Sequence, residues 1–597
     1  MRAVLVWLVL VASRAVPAPA QRPIDYLVRV ENPGTRLYHV EATLPASGSE
    51  TLVSLPAWTP GFYEIENYAR YVRNFAAEDD GGAPLRWKKT DKDTWLIHSE
   101  GASRVRVSFD YPASQQSLSG SVLLPDFGVF NGTNLFVYPE TGYDFPARVR
   151  FELPEGWCIA TELEESGEVG VYRAADYHQL VDNPTFIGHF AIDSAQADGR
   201  WTRLAVWPAD ALPGAGRDRV LDALRRIADY SHDLFDGPPY ERYTTLLVIY
   251  PGQATSSGGL EHANSQLDVL PAAFFKTSGQ IPDLLLDVLA HEYYHAWNVK
   301  RIRPAEMWPY DYSHEQYSPL LWVSEGFTSY YGPLILLRSG LHDEEAFWAD
   351  MRTAISEVEA RPYQASVEDV SLETWIEPVT MGSDYYYPKG ALIGLLLDIQ
   401  IRDATDNRHS LDDVMRRLYH EHYLRGRGFT TADLRAYIAE HIGDEKMDSF
   451  YRDYIDGRER LPYQRVLALA GMSFGVDTIH EPRLGVFTDE SRPGVVRVES
   501  TVPGSSAVEA GLQPGDELVR VGVVPIVGSG WAERFREIYA DSTDRPFTVE
   551  YRRNGQPATG EATLRTRTRF EYRIEPAPGA SERQLAVRRG LVEDVTR

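Results

Sequence analysis

The chain has 597 residues, 43% of them hydrophobic and 24% charged, which excludes a largely disordered chain, a fibrous repeat and a polytopic membrane protein. Acidic side chains number 86 against 60 basic ones, a net charge of −26, so phosphate backbones and anionic membrane surfaces are repelled and nucleic acid is not an expected partner. At roughly 150 residues per domain, this length makes room for about four domains. The single cysteine, Cys158, rules out an intrachain disulfide, so the fold rests on its cores alone.

In chain order, residues 1–20 come first. Arg2 supplies a positive start, Ala3 to Ala12 is an unbroken apolar run, and Ala18-Pro19-Ala20 fits a small-x-small cleavage site before Gln21. That run is too short to span a bilayer, so a cleaved signal peptide and an exported chain, periplasmic or secreted, are expected. Residues 21–195 read as a β-sandwich-like domain. Alternating runs such as Tyr26–Val30, Val105–Phe109 and Ala147–Leu153 are separated by turn clusters such as Asn32-Pro33-Gly34. Residues 196–468 read as an α+β block. An amphipathic helix over Arg217–Phe235 precedes a buried strand, Thr244–Tyr250, and a second helix starts at Pro282. Further helices are expected near Glu325–Leu337, Glu344–Ala360, Lys389–Arg402, Leu411–Tyr423 and Thr431–Ile442. Residues 469–575 turn β again, and 576–597 read as a loose tail.

The central chemical signal is His291-Glu292-Tyr293-Tyr294-His295. On a helix, positions i and i+4 share a face, so both imidazoles can address one ion while Glu292 reaches a water beside it. The apolar Leu284–Ala290 stretch places this pair in a buried helix, where a metal satisfies groups that water cannot. The histidines of His420-Glu421-His422 are two apart, cannot share a face, and read as surface. A hydrolytic zinc site takes a third protein ligand and keeps a position open. Glu325, in Trp322-Val323-Ser324-Glu325-Gly326, is the expected third ligand; an ordinary helix-start glutamate is the plainer reading of its spacing.

These residues resemble the gluzincin metallopeptidases. More closely, they are similar to the glycyl aminopeptidase family, whose members combine a β N-terminal domain, a thermolysin-like catalytic domain and a PDZ domain. The matching stretches are Leu55–Gly61, Gly258–His262, His291–Pro304, Trp322–Gly326 and Tyr387–Gly390. The resemblance implies one Zn2+ per chain held by His291, His295 and Glu325, with Glu292 as the general base. It implies that Gly258, Gly259, Glu261 and His262 line the substrate strand, Glu261 taking the free α-ammonium of a peptide. His262 stands where relatives usually carry Asn. Tyr387 matches the donor to the oxyanion, although adjacent Tyr385 and Tyr386 leave that register open. Ser324, Thr328, Ser329 and Asp287 are the candidates to orient the ligating imidazoles. Lys300, Arg301 and Arg303 match without a mechanism and read as a solvated basic patch.

In the C-terminal β segment, Leu484-Gly485-Val486-Phe487 resembles the carboxylate-binding loop of PDZ domains, and Ser505–Leu518 resembles their helix, Gly stop and following strand. Such modules bind peptide C-termini by strand addition. The fold class is therefore multidomain α+β. The leading functional reading is a zinc aminopeptidase acting on peptides with a free N-terminus, preferring Gly or Ala. The alternatives are a PDZ-guided endopeptidase on unfolded exported proteins and a non-catalytic PDZ binding protein.

Overall fold

In this computed structural model the described residues are 22–593, apart from 253–256, 276–280, 378–383, 491, 493, 529, 541 and 543. The expected signal peptide lies outside them. The chain divides into two units: one runs to Pro462 and takes up the chain again from Ser581, and the other spans Tyr463–Ala580.

The first unit opens β-rich. Alternation in Leu37–Pro45 buries every second residue, and this strand pairs with Ile24–Arg29 and Arg104–Pro112 at the centre of a seven-stranded sheet. Instead of the two layers of a sandwich, the strands fall into three sheets. The third, a four-stranded one that includes Phe127–Phe130 and Thr185–Gly188, turns its apolar side to the next domain. There Phe127 stacks on Trp207 with ring centroids 4.5 Å apart. Because apolar burial is shared across this boundary, the β region and the following block have a common core.

That block carries a five-stranded sheet in the order Ala191–Ala197, Arg200–Trp207, Arg242–Tyr250, Ser265–Pro271, Gly258–Glu261. The helix Gly214–Leu234 connects two of its parallel strands, and its apolar residues at three/four spacing are the buried ones. Gly258–Glu261 is the edge strand, paired on one side only. The helices expected after Glu325 are present: Thr328–Arg338, Glu344–Glu359, Tyr386–Ala404, Leu411–Glu421 and Thr431–Ile442.

Three expectations are corrected. Lys300 and Arg301 are 3% and 5% exposed, so they are no solvated patch. Lys300 pairs with Asp182 at 2.7 Å, and Arg301 donates to the carbonyls of Ala263, Ala296 and Pro239 and to Asn264. His422 is buried rather than superficial, held between the Gly428 carbonyl and the Tyr437 hydroxyl, while His420 stays exposed. The expected tail instead forms the helix Glu582–Glu593, which buries Val587 and Leu591. Arg338 donates to the Leu591 carbonyl and Asn407 to that of Ala586, closing the first unit with the chain's last helix.

The second unit is built on a sheet that runs Val486–Asp489, Arg497–Thr501, Glu517–Val521, Pro546–Arg553, Gln556–Thr563, beside a two-stranded ribbon of Met472–Arg483 and Arg565–Pro576. Helices Ser506–Glu509 and Trp531–Ile538 complete it. Leu484 lies in its core with Val498, Leu518, Trp531 and Phe535. Gly485 has φ +81°, a left-handed conformation that favours glycine, and Val486–Asp489 lies at the sheet edge with Phe487 exposed.

No helix of the described residues is long and apolar enough to cross a membrane.

Candidate active site

The apolar face of Asp283–Tyr294 buries Leu285, Leu286 and Leu289, which turns His291 and Glu292 into a cavity of ≈ 370 Å³. His295 follows as the first residue past the helix. Its Nε2 lies 3.1 Å from that of His291, and Glu325 Oε2 is 3.3 Å from His295 Nε2 and 3.7 Å from His291 Nε2. A tetrahedral ion with bonds of about 2.0–2.1 Å sets its ligand atoms about 3.3–3.4 Å apart, so this triangle has the size of one zinc face. The donor set, two imidazoles and a carboxylate, suits zinc with a position left open.

The orientation of the donors is built in. His295 Nδ1 donates to the Asn298 carbonyl at 2.6 Å, which leaves Nε2 free to ligate. Asn298 in turn donates to the carbonyls of Val323 and Ser324, and the Thr328 hydroxyl donates to those of Ser324 and Asn298. Of the expected orienting groups, Thr328 is therefore near His295 Nδ1, at 3.4 Å, but the backbone at Asn298 is the principal partner. Asp287 faces His342 and Asp350 instead. Glu325 sits in a π-helical turn, Trp322–Phe327. Its Oε1 accepts from the Tyr63 hydroxyl at 2.9 Å, so Oε2 is the oxygen presented to the imidazoles.

Glu325 and Tyr387 approach together because two bare backbones cross. A Cβ on Gly390 would lie 2.5 Å from the Trp322 carbonyl oxygen, and one on Gly326 would lie 2.5 Å from Gly390 Cα. The tyrosine register follows: Tyr387 lines the cavity, while Tyr386 is hydrogen-bonded with Thr374 and Tyr385 with Gln364. Burial, then the Glu325 charge, hold the Tyr387 hydroxyl well above its usual pKa, so it remains a donor.

Glu261 and Glu292 enter the same cavity, with carboxylate oxygens and a His295 nitrogen within 4.8 Å of one another. Room for both carboxylates comes from absent side chains: a Cβ on Gly259 would strike Glu292 and one on Gly61 would strike Glu261. Glu261 is 3% exposed and its Oε1 has no hydrogen-bond partner among the described residues. Burial pushes it up to about 7 against the pull of His295 and Lys300. Burial also raises Glu292 above the usual carboxylate range, a shift that His295 opposes. Burial alone would lower His295, but Glu325 and Glu261 outweigh it and hold the ring at about 10. Three carboxylates around two imidazoles form a site that attracts positive charge.

His262 is corrected: its ring is fully buried, hydrogen-bonded to Asp182 at 3.1 Å, and it does not line the cavity. Gly258 and Gly259 do line it, with Leu118 and Phe62 opposite in sequence. Gly61, Phe62, Tyr63 and Glu64, all from the N-terminal β region, were outside the expected site. The stretch Leu55–Gly61 pointed near them, but no local pattern marks Tyr63 as a partner of Glu325.

Residues 25–189 match the Peptidase M61 N-terminal domain, and residues 284–393 match the M61 glycyl aminopeptidase domain. Among solved structures, an aminopeptidase N family protein from Idiomarina loihiensis is similar over 95% of this chain and 100% of its own, with 25% identity and a TM-score of 0.81. An M1 zinc metallopeptidase from Deinococcus radiodurans is 17% identical, covering 74% of this chain and 95% of its own at a TM-score of 0.48. Yeast LTA4 hydrolase is 15% identical over 76% and 70%, at 0.47. No curated protein matches in sequence.

Proposed function

We propose that the chain is a zinc-dependent aminopeptidase that hydrolyses the N-terminal peptide bond of peptides, preferring Gly or Ala. The observation that carries this reading is Glu261: a buried carboxylate, one oxygen of which has no hydrogen-bond partner among the described residues, set beside Glu292 and His295 in one cavity. Such a group is costly unless a cation meets it, and the α-ammonium of a peptide is that cation. The small-residue preference is supported by the M61 glycyl aminopeptidase match.

His291, His295 and Glu325 would hold the zinc, which when bound polarises the scissile carbonyl and acidifies water. Glu292 accepts a proton from the attacking water on its carboxylate and passes it to the leaving amine. The Tyr387 hydroxyl donates to the developing oxyanion. Glu261 fixes the N-terminus, and the free side of strand Gly258–Glu261 is available to pair with the peptide backbone.

A second reading, peptide capture by the Tyr463–Ala580 unit, is favoured by the exposed edge strand Val486–Asp489 with Gly485 at its start. In it Leu484, Gly485, Val486 and Phe487 form a PDZ-type site for peptide C-termini. Export remains part of the proposal and rests on Arg2, the Ala3–Ala12 run and Ala18–Ala20.

The test compares glycyl and alanyl peptides with free and acetylated N-termini, using zinc-loaded protein. Release of the first residue from free peptides only, abolished in Glu292→Gln, is the expected result. Equal cleavage of the acetylated peptides would replace the aminopeptidase reading with the endopeptidase one.

A further inference from the structure

One turn before His291, the catalytic helix carries Asp287. Its carboxylate does not orient His291; it meets two groups from the neighbouring helical hairpin. His342 lies in the turn between the helices Thr328–Arg338 and Glu344–Glu359, and Asp350 lies on the second of these. One donor atom from each of Asp287, His342 and Asp350 lies within 4.8 Å of the other two. The His342 side chain is 12% exposed, and both of its ring nitrogens are buried without a hydrogen-bond partner among the described residues. Asp287 Oδ1 and Asp350 Oδ2 are likewise buried and unpartnered. One polar atom from each of three side chains meets the other two here, and buried, unsatisfied polar atoms on all three are an arrangement that burial penalises unless something binds there.

The charge balance names the class of ligand. Two carboxylates and an imidazole carry −2 when the aspartates are ionised, which one divalent cation neutralises. Burial, and then the neighbouring acids, push Asp287 up to about 6 and Asp350 up to about 6, as expected of carboxylates lacking a counter-charge. Asp283 lies 4.0 Å from His342 Nε2 and is largely exposed, and the pull of His342 and Arg352 on Asp350 is outweighed by burial and the neighbouring acids. A cleft of ≈ 260 Å³ is lined by Asp287 and Asp350 together with His291 and Tyr387, so the two aspartates border the same space as one of the candidate zinc ligands.

We infer that Asp287, His342 and Asp350 form a second divalent-cation site that ties the catalytic helix to the hairpin behind it. An imidazole with two carboxylates favours Zn2+ or Mn2+ over the all-oxygen ligation that Ca2+ and Mg2+ take. The ion acts by position. Asp287 and His291 share a helix face four residues apart, so an anchor at Asp287 holds the register of His291.

Zn2+ itself is the probe, with the full chain dialysed against a fixed free concentration and metal counted per chain. Wild type is expected to hold two ions, Asp350→Asn and His342→Ala one each, and His295→Ala one. The remaining ion in His295→Ala is expected to raise its melting temperature, and that rise is expected to vanish in His295→Ala/Asp350→Asn. His342→Ala serves where Asp350→Asn does not fold, as judged by circular dichroism. One ion in wild type together with none in His295→Ala would overturn the second site while leaving the first intact. Loss of the ion from His295→Ala on replacing Asp350 supports it, whatever the activity of the first site.

Discussion

At the scale of single residues, the site is governed by the contrast between Glu261 and Glu325, two buried carboxylates with opposite surroundings. Glu325 is satisfied by Tyr63 and two imidazoles, whereas Glu261 keeps an orphaned oxygen. Glu261→Gln is expected to raise KM for free-amine peptides by about 10²–10³-fold, the cost of removing one partner of a buried charge pair. The same change is expected to leave the melting temperature little changed, since it removes the desolvation penalty of a buried carboxylate together with its attraction to His295. Steady-state kinetics and a thermal scan check both. Tyr387→Phe is expected to lower kcat by about 10²–10³-fold with KM little changed, because its hydroxyl acts on charge that develops during reaction. Asp268 gives a pH signature. Burial pushes its carboxyl up to about 8 from 3.8, against the pull of Gln266. A raised folded value means the unfolded chain releases the proton first, so stability falls as pH rises between these values. Asp268→Asn is therefore expected to raise the melting temperature at pH 8 more than at pH 5.

At the scale of elements, two packings decide the geometry. The first is the crossing of Trp322–Phe327 with Tyr386–Ala404 through Gly326 and Gly390, which sets Glu325 and Tyr387 on one cavity wall. A methyl at 390 meets a backbone carbonyl, which cannot swing aside as a side chain would. Gly390→Ala is expected to cost about 1–3 kcal/mol and to weaken zinc binding as Glu325 is displaced. Denaturant unfolding and a zinc titration measure the two effects. The second is the edge position of Gly258–Glu261, which leaves one side of the strand facing the cavity while its bare glycines admit the Glu292 carboxylate.

At the scale of the whole molecule, the catalytic block depends on distant parts of its own unit. The N-terminal β region supplies Tyr63 and Gly61 to the cavity, and the shared core at Phe127 and Trp207 fixes that approach. The last helix closes the other side, with Val587 and Leu591 buried and Arg338 bonded to the Leu591 carbonyl. Deleting residues 582–597 is expected to cost about 3–5 kcal/mol, from the burial of two aliphatic side chains and the loss of their helix. Calorimetry is expected to show a lower transition for the catalytic unit and an unchanged one for residues 463–580.

The sequence alone determined what depends on short spacings. His291 and His295 come to within 3.1 Å because a helix brings i and i+4 together, and the helices Glu344–Glu359 and Thr431–Ile442 follow from their apolar period and caps. The family motifs pointed further to Glu325, Glu261 and Tyr387 with the tyrosine register left open, and packing puts Tyr387, not Tyr385 or Tyr386, on the cavity. Only the tertiary structure decided the rest. Tyr63 meets Glu325 across 262 positions, Lys300 finds Asp182 inside the protein, His262 turns from the cavity to the same aspartate, and the final helix docks instead of trailing. Helix periodicity is a property of the local backbone and is written in neighbouring residues. Contacts between distant residues exist only once the hydrophobic cores have set which surfaces meet.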